Sequence, residues 1–195
     1  MRPFSESCEQ NKQVIYETIQ PYLQGQVLEI GSGTGQHAVY FTSLEPGISW
    51  QTSDLEENLA GINAWIADAD QTCLPAPIPL DVLGDWPGSQ YDLVFTANSF
   101  HIMGEPAVAA SFQGIAGCLK PGGRLIIYGP FNYNRAYTSA SNERFDQWLK
   151  QRDPQSGIRD FEWIETLATD VGFDLLEDIA MPANNRTLIW QNRTL

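Results

Sequence analysis

The sequence predicts an α/β fold, a sandwich whose mostly parallel seven-stranded sheet ends in an antiparallel hairpin. Three observations predict it. The short apolar run Gln26–Ile30 breaks into Gly31, Gly33 and Gly35, and the chain resumes as a helix from Gln36 to Leu44. Apolar strand runs then alternate with helical periodicities as far as Val171, the pattern of strand–helix–strand units. Last, Phe173–Ala180 and Arg186–Trp190 are joined only by Met181-Pro182-Ala183-Asn184-Asn185. So short a link makes those two strands antiparallel, because a parallel pair needs a long crossover.

The first element is a helix over residues 5–23. Ile15, Ile19, Tyr22 and Leu23 share one face, Ser5 or Ser7 can cap its start, and Pro21 marks its end. Asn11 and Lys12 fall on the polar side and read as a solvated face. Val27, Leu28 and Ile30 then form a buried strand. The glycines after it let the chain turn tightly and let a ligand approach the backbone. The next helix pairs His37 with Phe41 and Tyr40 with Leu44 at i,i+4 spacing. Its N-terminus offers free N–H groups and a positive dipole end. Ile48–Asp54 is the second strand, and Leu55, Leu59, Ile62 and Ile66 mark the helix after it, with Trp65 read as core. Asp54 can accept hydrogen bonds from a ribose, cap that helix, or do both.

A proline-punctuated approach, Pro75–Pro79, leads to the third strand, Ile78-Pro79-Leu80, which ends in Asp81-Val82. Asp81 stays open between a ligand contact and a turn residue before Gly84. Tyr91–Asn98 is apolar enough to be a central fourth strand. Val108, Phe112, Ile115 and Leu119 mark a helix that Lys120-Pro121-Gly122-Gly123 stops, and Arg124–Tyr128 is the fifth strand. Its loop, Gly129–Asn134, opens on the edge where such sheets bind ligands. Helices follow around Phe145, Trp148 and Leu149, and around Phe161, Ile164, Ala168 and Val171, the latter introduced by Gly157–Asp160. One domain over 1–195 is expected.

Composition narrows the partners. A formal net charge of −13 argues against binding to nucleic-acid phosphates and to anionic membrane surfaces. Cys8, Cys73 and Cys118 are odd in number and lack C-x-x-C spacing, so neither a disulfide framework nor a metal site is expected. The first residues hold no apolar signal core and no run approaches membrane-spanning length. A reducing, cytoplasmic location is the expectation. Oligomeric state is not legible.

The glycine spacing separates two cofactor classes. A dinucleotide loop wants G-x-G-x-x-G, yet Gln36 stands where its third glycine would fall. Glu29, two residues before Gly31, would repel a pyrophosphate but suits a ligand carrying a sulfonium and an amino group. This Glu-x-Gly-x-Gly-x-Gly pattern resembles motif I of the class I S-adenosylmethionine-dependent methyltransferases. Further blocks are similar to domain-of-unknown-function family 938, the methyltransferase-like protein 26 type. They are Asn11-Lys12, Ala97-Asn98 with His101-Ile102, Tyr128–Phe131, Ser141-Asn142, Arg152-Asp153-Pro154, Gly157–Asp160 and Met181–Asn185.

The resemblance implies a Rossmann-like sandwich, S-adenosyl-L-methionine as cofactor and methyl transfer to a small-molecule acceptor that it does not name. It implies that Glu29, Gly31, Ser32, Gly33 and Gly35 admit the methionine portion. Asp54 and Leu55 would hold the ribose, and Asp81 with Val82 the adenine edge. Asn98 would border the cofactor, the first helix would pack on the cofactor side, and His101, Tyr128 and the loop to Asn134 would face the acceptor. An unperturbed His101 acting as base would give a pH dependence between about 6 and 8. Two other readings stay open. One is a nicotinamide oxidoreductase, against which Gln36 and the closing hairpin count. The other is a non-catalytic cofactor-binding or interaction protein of the same fold.

Overall fold

The computed structural model describes residues 2–69 and 72–193; the rest of the expected 1–195 domain lies outside the described residues. In chain order come β1 (Gln26–Ile30), β2 (Ser49–Asp54), β3 (Ile78–Pro79), β4 (Tyr91–Ala97) and β5 (Leu119–Gly129). β6 (Phe131–Asn132) and β7 (Arg159–Asp160) form a separate parallel pair, and β8 (Phe173–Met181) and β9 (Asn185–Asn192) close the fold. The main sheet has seven strands in the order β3-β2-β1-β4-β5-β9-β8, and only β9 runs antiparallel to its neighbours. The closing hairpin is therefore as the short link requires.

The helices are α1 (Glu6–Ile19), α2 (Gln36–Leu44), α3 (Leu59–Ala69), α4 (Glu105–Cys118), α5 (Ala140–Arg152) and α6 (Phe161–Asp170). Strand alternation sends Leu28, Ile30, Val94 and Leu125 to one face of the sheet, where they meet Phe112 of α4 and Ile164 of α6. Val27, Trp50, Phe95 and Ile126 go to the other, against Ile15 and Ile19 of α1 and Phe41 of α2. Each such side chain, fully buried, contributes roughly 1.5–3 kcal/mol. The order of strands places the carboxyl ends of β1 and β4 side by side, which is where the candidate site forms.

Several expected boundaries move, each for a local reason. Ser5 caps α1, its hydroxyl accepting from the Cys8 N–H at 3.3 Å, and Pro21 diverts the end of the helix into a short turn, Gln20–Tyr22. The helix after β2 starts at Leu59, because Glu56–Asn58 first make a tight 3-10 turn; Leu55 is consequently exposed instead of lying on a buried stripe. Trp65 is not core. Its indole N–H donates to the Pro3 carbonyl at 2.6 Å, with the Arg2 guanidinium 3.7 Å above the ring. β5 already begins at Leu119, expected in the helix, opposite Tyr91; the proline–glycine segment expected as the helix stop is looped out inside that ladder before Arg124 rejoins opposite Leu93. Gly122 adopts φ +73 there. Among the described residues no helix is long and apolar enough to cross a membrane.

Candidate active site

The glycine loop is held open by its neighbours. Gly31 has φ +67, and a Cβ there would lie 2.5 Å from the Ser99 hydroxyl, so only glycine fits both the dihedral and the space. Gly33 has φ +58, and nothing lies within 4 Å of where its Cβ would be. Ser32 does not present its side chain outward. Its hydroxyl accepts from the Ser53 N–H at 3.1 Å and its N–H donates to the Ser53 carbonyl at 3.0 Å, which ties the loop to β2. Asp54 completes the frame: one oxygen accepts from the Gly33 N–H at 2.7 Å, the other from the Leu55 N–H at 2.8 Å and the Asn58 amide at 2.7 Å. Asp54 thus supports the loop rather than capping α3, and the oxygen that meets Gly33 keeps one unused lone pair.

Glu29 lies buried at the end of β1 and accepts the Trp50 indole N–H at 3.0 Å. Burial pushes its carboxyl up to about 7, with the Trp50 and Ser32 hydrogen bonds opposing and the nearby Asp54 charge adding to the rise. Asp81 serves as a turn residue: it is exposed, and its side chain and carbonyl accept from the Leu83 and Gly84 N–H groups at 3.0 and 2.9 Å. Val82 beside it is buried and Leu83 exposed.

A cavity of about 1190 Å³ opens between α1, α5 and the turn joining β8 to β9. It brings together Asn98, His101 and Tyr128 as expected, and adds Asn11, Asn142 and Asn185. The glycine loop is not part of its wall. Asn98 takes a left-handed φ of 59 and donates its N–H to the Tyr128 carbonyl at 2.8 Å. Beyond Pro130 the loop turns away from the cavity, contrary to expectation. Phe131 is core, Tyr133 stacks on Phe161 and donates to Asp178, and the Asn134 N–H donates to Glu162 at 2.9 Å.

Asn11 is not on a solvated face either. Its Oδ1 pairs with the Nε2 of buried His37 at 2.7 Å, which joins α1 to the helix that follows the glycine loop. The turn between β8 and β9 docks on α5: Asn184 accepts from the Asn142 amide and donates to the Ser141 hydroxyl, both at 3.1 Å. Ala183 and Asn184 both hold positive φ, 56 and 58, a strained pair at the cavity wall. Arg159, which sequence reasoning passed over, fastens the His101 loop. Its Nε donates to the Phe100 carbonyl at 3.2 Å, and its Nη2 to the Gln155 carbonyl at 2.7 Å and to that of Met103.

Both histidines are held neutral. Burial, then a nearby cation (Lys12 for His37, Arg159 for His101), pulls each down to about 4. An unfolded histidine takes its proton near pH 6.5, so folding excludes two protons between about 6.5 and 4, and their contribution to stability is lost as pH falls through that window. Glu29 has the opposite sign, since the folded carboxyl holds its proton from about 7 and the unfolded one only near its ordinary value. With two groups against one, the melting temperature should fall between pH 6.5 and 4. In His37→Gln the fall should be smaller; an unchanged acid limb would show that His37 is charged in the folded protein.

A family model described as "Protein of unknown function (DUF938)" matches residues 2–192. The chain belongs to the DUF938 family. The chain is similar to the solved structure of an O-methyltransferase family protein from Burkholderia thailandensis, at 18% identity and a TM-score of 0.85, over 96% of this chain and 57% of that one. It is also similar to human N-acetylserotonin methyltransferase in complex with S-adenosylmethionine, at 17% identity and a TM-score of 0.81, over 97% and 53%. At these identities the likeness establishes the fold, that of the Rossmann-like methyltransferases. The DUF938 chain spans little more than half the length of either structure.

Proposed function

We propose that this chain is an S-adenosyl-L-methionine-dependent methyltransferase of the methyltransferase-like protein 26 type, acting on a small-molecule acceptor in the cytoplasm. The observation that carries the reading is the clear space over Gly33, whose N–H Asp54 holds, at the carboxyl end of β1 next to the end of β4, beyond which Asn98 lines a large cavity. The backbone of Gly31, Ser32, Gly33 and Gly35 would take the methionine portion, with Glu29 beneath it. The free lone pair of Asp54 would accept a ribose hydroxyl beside Leu55. Asp81 and Val82, next to exposed Leu83, would border the adenine. Bound there, the cofactor supplies an electrophilic methyl group on sulfur. The protein's part is then to align the acceptor in line with that methyl and to exclude water.

Against a nicotinamide dinucleotide stands Gln36. It is buried, and its amide grips Ser5 through the Ser5 N–H at 2.6 Å and the Ser5 carbonyl at 3.3 Å, filling the position of the missing glycine. S-Adenosylhomocysteine should therefore raise the melting temperature while NADH leaves it unchanged. At a hundredfold excess over Kd the stabilisation is roughly 2.7 kcal/mol, which for a chain of this size is roughly 5–10 °C. A shift with NADH and none with S-adenosylhomocysteine would overturn the proposal.

His101 lines the cavity edge-on to Phe145, with ring centroids 5.3 Å apart. Held neutral at about 4, it has a ring nitrogen ready to accept a proton at every pH above 5. The pH dependence expected of an unperturbed imidazole is thereby corrected: turnover should be flat from pH 6 to 8 and fall only toward 4. His101→Gln should keep cofactor affinity and lower turnover by roughly 10², the low end for a positioned base, because the ring is a weak one. Full turnover in the variant would remove His101 from the reacting groups.

A further inference from the structure

The Tyr128 hydroxyl lines the cavity. Its oxygen accepts from the Asn185 side-chain amide at 3.1 Å. An amide nitrogen only donates. The phenol is therefore the acceptor in its one side-chain hydrogen bond among the described residues, and its own hydrogen meets no acceptor there. That hydrogen is available to a molecule in the cavity that Tyr128 lines.

His101 lines the same cavity, and neither ring nitrogen has a hydrogen-bond partner among the described residues. A neutral ring carries one acceptor nitrogen. The cavity thus holds a donor without an acceptor and an acceptor without a donor. One stretch of its wall is flat and apolar: Phe145 stacks on Trp148 with centroids 5.8 Å apart, beside Ile102 and Leu149. Its charged lining is Glu17, Asp153 and Arg152, and the Arg152 guanidinium lies 4.6 Å over the Trp148 ring.

We infer that the acceptor is an uncharged hydroxyl compound with a flat apolar body, its oxygen taking the Tyr128 hydrogen and its own hydrogen directed at His101. This rests on the methyltransferase reading. A carboxylate accepts but cannot donate to His101, and it meets two acidic side chains in the lining. An ammonium group donates but cannot accept from Tyr128. A site built to pair a hydroxyl rejects analogues that leave its polar groups unpaired. In the transfer, an oxygen lone pair forms the new bond to the methyl carbon. The carbon–sulfur bond breaks with its electron pair left on sulfur, which becomes an uncharged thioether, and the hydroxyl proton passes to the His101 ring. An oxygen gaining a methyl group becomes far more acidic than the starting alcohol, so a weakly basic imidazole suffices to receive that proton.

Calorimetric titration tests this without turnover, using the full chain with and without S-adenosylhomocysteine and three probes: 2-naphthol, its methyl ether and 2-naphthoate. The expected result is 2-naphthol binding at least about tenfold tighter than either of the others. Tyr128→Phe should remove that advantage. So should Asn185→Asp, which offers Tyr128 an acceptor in place of a donor and turns its hydrogen away from the cavity. In both variants S-adenosylhomocysteine affinity should stay within about twofold. Tighter binding of 2-naphthoate, or an undiminished 2-naphthol preference in both variants, overturns the inference with the methyltransferase reading left standing; so does binding of none of the probes. A 2-naphthol preference that both variants abolish, in a protein that S-adenosylhomocysteine does not bind, does the reverse: it upholds the hydroxyl preference and removes the methyltransferase reading.

Discussion

Replacing Arg159 by methionine should lower the melting temperature by roughly 10 °C and slow turnover more than it weakens cofactor binding. The guanidinium is 7% exposed and holds the carbonyls of Phe100, Met103 and Gln155 at once. Burial pulls its pKa down, a desolvation that the Glu105 and Asp146 charges oppose. The Glu105 contact, at 3.7 Å to a 70% exposed carboxylate, adds little. Methionine fills much of the same space but leaves three carbonyls without a donor, at about 1–3 kcal/mol each. The loop residues can relax, so a total of about 3–5 kcal/mol is expected, at about 2–4 °C per kcal/mol for a chain of this size. Arg159→Lys should recover only part of the loss, since one ammonium cannot span the fork. The loop released is the one that carries Asn98 and His101, and Gly157 is fixed to it through the His101 carbonyl at 2.9 Å. Calorimetry showing a shift under about 3 °C for Arg159→Met would mean those carbonyls find other donors and that Arg159 is not what sets the loop.

That clamp shows where sequence legibility ends. The strands and the closing hairpin could be read because buried parallel strands are written as continuous apolar runs, such as Tyr91–Ala97, and because the link Met181–Asn185 is too short for a crossover. The glycine loop could be read for the same kind of reason, since only glycine tolerates the Ser99 hydroxyl at 2.5 Å together with a positive φ. What could not be read depends on partners far away in the chain. Asn11 reads as solvated until α1 meets His37, 26 residues on. Arg159 reads as a helix entry until it meets Phe100, 59 residues earlier. Trp65 has an apolar ring at helical spacing, and its half-buried place under Pro3 and Arg2, outside the core, depends on the N-terminal segment packing over it. The looped-out Pro121–Gly123 misled for a different reason: a proline and two glycines stop a helix and leave a strand by the same loss of regular hydrogen bonding. The Asn184-Asn185 pair gave no local signal of its task, because what matters is the left-handed turn that sets one amide on α5 and the other on Tyr128.

Asp54→Ala should weaken S-adenosylhomocysteine binding by at least about tenfold, and the structure makes the loss larger than a ribose contact alone. Each charged hydrogen bond to the ribose contributes roughly 1.5–3 kcal/mol, and about 1.4 kcal/mol is a decade in affinity. The same carboxylate holds the Gly33 N–H at 2.7 Å and the Leu55 N–H at 2.8 Å. Alanine therefore also frees the loop on which the methionine portion would rest, and the ligand must then order it on binding. Asp54→Asn separates the two contributions. Its oxygen can still accept from Leu55 and Asn58, but its NH₂ then confronts the Gly33 N–H, donor against donor. If loop support dominates, Asn and Ala should weaken binding alike and both should lower the melting temperature of the free protein by a few degrees. If the ribose contact dominates, Asn should keep an intermediate affinity and the free protein should melt near the wild-type temperature. Calorimetric Kd values for the three proteins, with their melting temperatures, decide between these. Wild-type affinity in Asp54→Ala would place the cofactor's ribose elsewhere and leave Asp54 as a support of the glycine loop.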